Sequence, residues 1–125
     1  MISHIDHLVI TVQSLETTCT FYERVLDFTR RDAPGGPTAL HFGTCKLHAH
    51  EVGQTFDPKA RTPAAGSADF CLITDGSIDD IVARLTLEDI PIEAGPVERL
   101  GAQGPMISIY FRDPDGNLIE VSRYQ

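Results

Sequence analysis

Apolar and polar residues along the chain alternate at the two-residue period of strands in some segments and follow the helical period in others. The same order of strand-like and helix-like segments occurs twice. Residues Ile5 to Val12 alternate loosely and are rich in β-branched side chains, which predicts a strand. Ser14 offers a helix N-cap, and apolar residues at helical spacing follow it to a predicted helix end near Asp27. The other predicted strands of this half are Phe28 to Arg31, Thr38 to Phe42 and Lys46 to Val52.

A polar segment from Gly53 to Gly66 separates the two occurrences of this pattern. It contains Pro58 and Pro63 and has no apolar period, so it is predicted to be a loop. Loops of this length are uncommon in small domains, and they are usually linkers or functional segments.

The pattern then restarts with a predicted strand at Ser67 to Thr74 and a helix that Ser77 caps. Gly95 is predicted as a turn glycine, and Gly101 to Pro105 as a flexible lip of a pocket. The other predicted strands of this half are Ile92 to Val97, Met106 to Phe111 and Leu118 to Ser122.

The element order is therefore strand, helix, three strands, repeated once. This order predicts an α+β fold made of two βαβββ halves, near residues 1–52 and 67–125, in a single domain that spans residues 1–125. The halves share little sequence, so the repeat rests on element order. Because each half alone is too small for a good core, we expect the two sheets to pack side by side around a concave, ligand-binding surface.

Composition narrows the classes of partner. The formal net charge of −8 argues against nucleic acids and anionic membranes as partners, because both bind to clusters of Lys and Arg. No apolar run approaches membrane-spanning length, and no signal peptide is evident at the N-terminus. Three widely spaced cysteines fit reduced thiols in the cytoplasm. A small molecule is thus the expected partner.

The candidate ligands for a metal are polar residues on otherwise apolar strands. His7 shares a strand face with Ile5 and Val9, and Glu120 lies between apolar neighbours on the last strand. Such residues are costly to bury unless they are paired or coordinated, and two histidines with a carboxylate form a known divalent-metal site. The competing interpretation is that they simply face solvent. All five histidines lie in the first half: His4, His7, His41, His48 and His50.

Longer stretches of sequence resemble the glyoxalase/bleomycin-resistance/dioxygenase superfamily, whose members have the vicinal oxygen chelate fold. The resemblance begins with Ile5 to Val12 and Phe21-Tyr22, and it ends with Phe111 to Glu120. The middle of the chain is similar to one subgroup, the glyoxalase-domain-containing and biphenyl-diol dioxygenase-related proteins. That similarity rests on three segments: His50 to Gly53, Pro58 to Ala60 and Gly66 to Thr74.

This resemblance implies roles for individual residues. His7 matches the metal ligand of the first strand and Glu120 that of the last strand. Tyr110 matches a pocket tyrosine, although a core aromatic is an equal alternative. Many relatives have a histidine on the fifth strand, where Asp69 is here the nearest polar residue; it is either a weak ligand or a strand-entry residue. The missing histidine is expected from the fourth strand, His50 before His48.

The function implied by the resemblance is that of a divalent-metal-dependent enzyme of glyoxalase or dioxygenase type. Its substrate would be a small molecule with vicinal oxygens, its metal Fe, Mn, Ni, Co or Zn, and its assembly a homodimer. The absent fifth-strand histidine weighs against extradiol ring cleavage. The lack of an evident basic cluster weighs against fosfomycin transfer. The alternatives are a sequestering protein without catalysis, as in bleomycin resistance, and a degenerate domain for association.

Overall fold

The computed structural model, which describes all residues 1–125, contains eight strands and two helices in the predicted order. The elements are β1 His7–Val12, α1 Leu15–Leu26, β2 Thr29–Asp32, β3 Thr38–Phe42, β4 Cys45–Glu51, β5 Asp69–Ile73, α2 Ile78–Leu87, β6 Ala94–Gly101, β7 Gly104–Arg112 and β8 Leu118–Tyr124. The chain divides into two compact units, Met1–Ser67 and Ala68–Gln125. The predicted α+β class is confirmed. Neither helix combines the length and apolar character that crossing a lipid bilayer requires.

The first unit is a four-stranded sheet in the order β1-β4-β3-β2, with α1 packed against one face. β1 and β4 are parallel, and the other two pairs are antiparallel. Alternate strand residues and one side of α1 form the core between helix and sheet. The most deeply buried of these side chains are Val12, Cys19, Tyr22, Leu40 and Leu47.

The ends of α1 are held by the residue types that the sequence predicts. The Ser14 side chain accepts a hydrogen bond from the Thr17 N–H at 3.2 Å. Glu51 at the end of β4 accepts another from the Leu15 N–H, also at 3.2 Å, which fixes the start of the helix to the sheet. Asp27 ends the helix in the left-handed conformation with a φ of 57°.

The second unit repeats this arrangement. Its sheet has the order β5-β8-β7-β6, with β5 and β8 parallel, and α2 packs against β7 and β8. Ser77 caps the helix by accepting a hydrogen bond from the Asp80 N–H at 3.0 Å. The buried side chains of this core are Leu85, Ile109, Phe111, Ile119 and Val121.

Two predictions for β6 are wrong. The segment predicted as a flexible lip is the tight turn of the β6–β7 hairpin, where Gly101 pairs with Gly104. The Gln103 N–H in this turn donates to the Tyr124 hydroxyl at 3.1 Å. Gly95 is not in a turn but inside β6, at a bulge with a φ of 98°. A Cβ there would collide with the carbonyl oxygen of Ser108, so the position requires glycine.

The turn between β7 and β8 is held by buried polar side chains. Asn117, only 1% exposed, donates from Nδ2 to Asp113 Oδ2 at 2.8 Å. The other Asp113 oxygen accepts the backbone N–H groups of Asp115 and Asn117, each at 3.0 Å. Asn117 Oδ1 accepts the Ala68 N–H at 2.9 Å, and so joins the turn to the residue before β5. The sequence predicts the turn but not this link.

We expect Asn117→Ala to destabilise the second unit by about 2–3 kcal/mol, because it removes the hydrogen bonds of the Asn117 side chain to the buried Asp113 carboxylate and to the Ala68 N–H. Urea unfolding followed by circular dichroism measures this loss. Gln103→Ala, which removes an exposed amide from another turn of the same unit, is the matched control. Equal stability of the two variants would contradict the structural role of Asn117.

Candidate functional site

Each sheet has one face without a helix, which we call its open face. In the first unit, cross-strand neighbours on this face are Val9 and His48, Thr11 and His50, and His41 and Lys46. Their sequence neighbours, such as Leu40 and Leu47, are buried toward α1. Strand alternation therefore places four of the five histidines on the open face. These are His7, His41, His48 and His50.

His7 and His48 form the closest histidine pair on this face. Their rings stack with centroids 4.5 Å apart and planes inclined by 19°. His7 Nδ1 is 2.7 Å from the carboxylate of Asp6, and this hydrogen bond lowers the pKa of Asp6. A carboxylate on Nδ1 orients the imidazole and leaves Nε2 available to a ligand. The predicted strand places Asp6 on the face opposite to His7, so this role has no signal in the sequence; in the structure Asp6 precedes β1.

His50 is more deeply buried than His48. Only 6% of His50 is exposed, and its ring meets the ring of Phe56 edge to face at a centroid distance of 5.3 Å. Its ring lies 6.4 Å from that of His48. Burial lowers the pKa of both histidines, and for His48 the charges of neighbouring Lys46 and histidines lower it further. Both imidazoles are therefore favoured in the neutral form, which has a lone pair for a ligand.

The open face of the second unit brings Glu120 and Tyr110 together as direct cross-strand neighbours. The Tyr110 hydroxyl accepts a hydrogen bond from Arg99 Nε at 3.0 Å, and the guanidinium of Arg99 lies 5.4 Å from the centre of the tyrosine ring. Burial raises the pKa of Tyr110, and the hydrogen bond with Glu120 adds to this effect. The phenol is therefore protonated near neutral pH and can donate its proton in a hydrogen bond.

A chain of small polar side chains continues from Glu120. The Ser122 hydroxyl donates to Glu120 Oε2 at 3.2 Å. Ser122 is also 2.6 Å from the Ser108 hydroxyl and 3.2 Å from the Cys71 sulfur, and both serines are fully buried. This network orients the carboxylate. Its only signal in the sequence is that Ser122 shares a strand face with Glu120.

The remaining candidates lie at the margins. Asp69 is the first residue of β5, exposed, and opposite Leu118. This position fits a strand-entry residue. His4 is exposed near the N-terminus, where its Nδ1 lies 2.7 Å from the Ser3 hydroxyl. His41 is half-buried on the open face beside Lys46.

The predicted metal ligands thus fall in two sets. His7, His48 and His50 share the open face of the first unit, whereas Glu120 and Tyr110 share that of the second. No group of three or more His, Cys, Asp or Glu side chains is positioned to hold a metal ion. The structure therefore supports the predicted faces of these residues but does not assemble the complete ligand set.

A family model and two related proteins indicate the same family for this chain. A family model described as Glyoxalase/Bleomycin resistance protein/Dioxygenase superfamily matches residues 4–121. Virulence protein STM3117 of Salmonella typhimurium is 49% identical over 124 residues, which cover 99% of this chain and 86% of that protein. The glyoxalase domain-containing protein RDO1 of Mycosarcoma maydis is 46% identical over 121 residues, covering 97% of this chain and 68% of that protein.

Solved structures agree with this assignment. The crystal structure of STM3117 superimposes with a TM-score of 0.97 and covers 100% of this chain and 99% of that one. Lactoylglutathione lyase from Agrobacterium tumefaciens, at 25% identity, has a TM-score of 0.74 and covers 97% of this chain and 93% of that one. The two-unit architecture described above is therefore one that characterised proteins share.

The three free cysteines should differ in reactivity. Burial raises the pKa of the Cys19 thiol to about 11, so we expect iodoacetamide at neutral pH to leave Cys19 unmodified in the folded protein and to alkylate it in urea. Peptide mass spectrometry, with the less buried Cys45 as internal control, measures the extent of modification. Equal alkylation of Cys19 with and without urea would contradict its burial on the core side of α1.

Proposed function

The chain belongs to the Glyoxalase/Bleomycin resistance protein/Dioxygenase superfamily, and we propose that it is a divalent-metal-dependent enzyme of glyoxalase or dioxygenase type. Its substrate would be a small molecule with vicinal oxygens. The observation that carries this proposal is the stacked pair His7–His48 on the open face, with the Asp6 carboxylate on Nδ1 of His7. The similarity to a lactoylglutathione lyase supports the same chemistry.

The donor set fits a divalent ion of intermediate softness. Imidazole nitrogens with a carboxylate suit Fe, Mn, Ni, Co and Zn, and do not choose among them. We propose His7 and Glu120 as ligands, with a second imidazole from β4. The candidates for that position are His50 and His48. Contact with His7 favours His48, whereas the match to the subgroup motif favours His50.

In this proposal, a bound ion supplies Lewis acidity that stabilises negative charge on the substrate's vicinal oxygens. Glu120 moves a proton to or from the substrate, and Ser122 holds its carboxylate in place through the hydrogen bond at 3.2 Å. Tyr110 accepts a hydrogen bond from Arg99 and is also hydrogen-bonded to Glu120, so a substrate oxygen that replaces Glu120 as its partner would accept the proton of the phenol. Asp69 is proposed as a pocket residue or an alternative ligand.

A second candidate function is sequestration of a small ligand without catalysis, as the family description includes bleomycin-resistance proteins. A protein of this kind would need the open faces but no metal. A third candidate, a degenerate domain for association, needs neither. Metal affinity separates the first function from the other two.

We also propose that residues 1–125 act as one functional domain, that the protein is a homodimer, and that it is cytoplasmic. Three free cysteines support a reducing compartment. Strands β1 and β5 support the dimer, because each is the edge of its sheet and exposes apolar side chains. Leu8 is 43% exposed, Val9 50% and Ile73 51%.

Metal analysis of purified variants tests the ligand set. We expect His7→Ala and Glu120→Ala each to weaken metal affinity by at least about tenfold, since each removes a proposed ligand. Of His50→Ala and His48→Ala, the variant with the larger loss identifies the third ligand. His4→Ala, which alters an exposed histidine outside the site, should keep wild-type affinity. Full occupancy in the His7, His50 and Glu120 variants would place the site elsewhere, and absence of affinity in the wild type would favour sequestration.

Sedimentation equilibrium tests the dimer. We expect a mass about twice the 13.7 kDa of the chain, and dissociation when Leu8→Lys or Ile73→Lys places a charge on an exposed apolar edge. Leu100→Lys is the matched control, because Leu100 is 82% exposed on the β6–β7 hairpin. A monomeric wild type, or dissociation by the control alone, would contradict the proposed interface.

A further inference from the structure

The open face of the first unit contains a pocket that the proposed metal ligands do not fill. The pocket has a volume of about 330 Å³ and lies over strands β2, β3 and β4. Ala39, 6% exposed, is one of the residues that line it. Because Ala39 has only a methyl group, it leaves a depression between the longer side chains of the neighbouring strands. A volume of this size suits a small ligand.

Cross-strand register surrounds this depression with nitrogen-containing side chains. Arg31 on β2 and His48 on β4 are the two lateral neighbours of Ala39. In the next row His41 and Lys46 lie side by side, and Lys46 is also the neighbour of His7 on β1. Side chains at such positions are about 5 Å apart at Cβ and can converge on one bound group. The sequence separates these residues, which is why no basic cluster is evident in it.

Two of these groups are permanent cations without a salt bridge. Arg31 and Lys46 make no side-chain hydrogen bond or salt bridge, although the chain as a whole has a net charge of −8. The charge of Lys46 contributes to the lowered pKa of Asp6, but the Asp6 carboxylate is hydrogen-bonded to His7 and not to Lys46. The preceding residue shows the contrast, since Arg30 binds both carboxylate oxygens of Glu16 at 2.8 and 3.0 Å. In a protein with excess acidic residues, two unpaired cations in one depression favour an anionic ligand.

The one carboxylate at the pocket is already neutralised. Asp32 follows Arg31 on β2, and its Oδ1 accepts hydrogen bonds from Arg30 Nε at 3.1 Å and from the Thr38 hydroxyl at 2.8 Å. These partners engage the Asp32 carboxylate, so it does not compete for Arg31 or Lys46.

We propose that this pocket binds an oxyanion group of the substrate, a carboxylate or a phospho group, through Arg31 and Lys46, with His41 as an additional donor. The identity of the bound molecule as substrate rests on the proposed function. The adjacency of Lys46 to His7 then places the anionic end of the substrate beside the imidazoles. The substrate class is accordingly a small molecule that combines vicinal oxygens with a separate anionic group.

Titration of the metal-free, full-length protein with inorganic phosphate and with acetate, at constant ionic strength, tests this subsite. Backbone amide shifts in nitrogen-15 NMR spectra report binding, and we expect saturable shifts at Ala39 and Lys46. Arg31→Gln and Lys46→Met should each weaken binding by about fivefold to tenfold, since each removes a charged hydrogen-bond donor. Lys46→Arg keeps the charge and should restore it. Tighter binding of phosphate indicates a phospho group, and equal or tighter binding of acetate a carboxylate.

Controls separate this subsite from general attraction of anions. Arg61→Gln and Lys59→Met remove cations from the loop outside the pocket and should leave the affinity unchanged. Non-saturable shifts, or equal weakening by the loop variants, would overturn the proposal. Metal affinity of Arg31→Gln should match the wild type. If the wild type binds no metal but binds phosphate at these residues, the anion subsite is supported and the metal-dependent function fails.

Discussion

In each unit a single helix covers one face of a four-stranded sheet, and this one-sided packing determines where every functional group lies. Residues that alternate toward the helix form the core, as Leu40 and Leu47 do in the first unit. The alternate residues of each strand point to the face that no helix covers. These positions can be polar, because they are not part of the core. This packing places the histidines of the first unit and Glu120 of the second on the open faces of their sheets.

The sequence predicts which face of a strand a side chain lies on, but it does not predict which residues of two strands pair. The alternation of Ile5, His7 and Val9 indicates the face of His7, and the apolar neighbours of Glu120 indicate its face. The stacking of His7 on His48 depends on a parallel pairing between strands separated by a helix and a hairpin, which no local pattern specifies. The family resemblance leaves His48 and His50 as candidates for the proposed metal ligand on β4. The structure adds the contact of His48 with His7.

The wrong prediction for Gly95 has a physical cause. Glycine is typical of turns because it tolerates positive φ, but a bulge inside a strand uses the same property. Gly95 is required by the close approach of the Ser108 carbonyl on the neighbouring strand, a contact without any local signal. The basic pocket around Ala39 has no corresponding cluster of basic residues in the sequence. Its cations come from different strands, and only the pairing of β2, β3 and β4 brings them together.

The strand orders have a further consequence for synthesis of the chain on the ribosome. In each sheet the strand that is made last, β4 or β8, lies in the interior between the first and third strands of its unit. The first sheet can close as soon as Glu51 has emerged, while the second must wait for Leu118–Tyr124. A premature stop codon just before Leu118 would therefore remove the strand that joins β5 to β7, and nascent chains of that length would present two unpaired strand edges to chaperones and proteases.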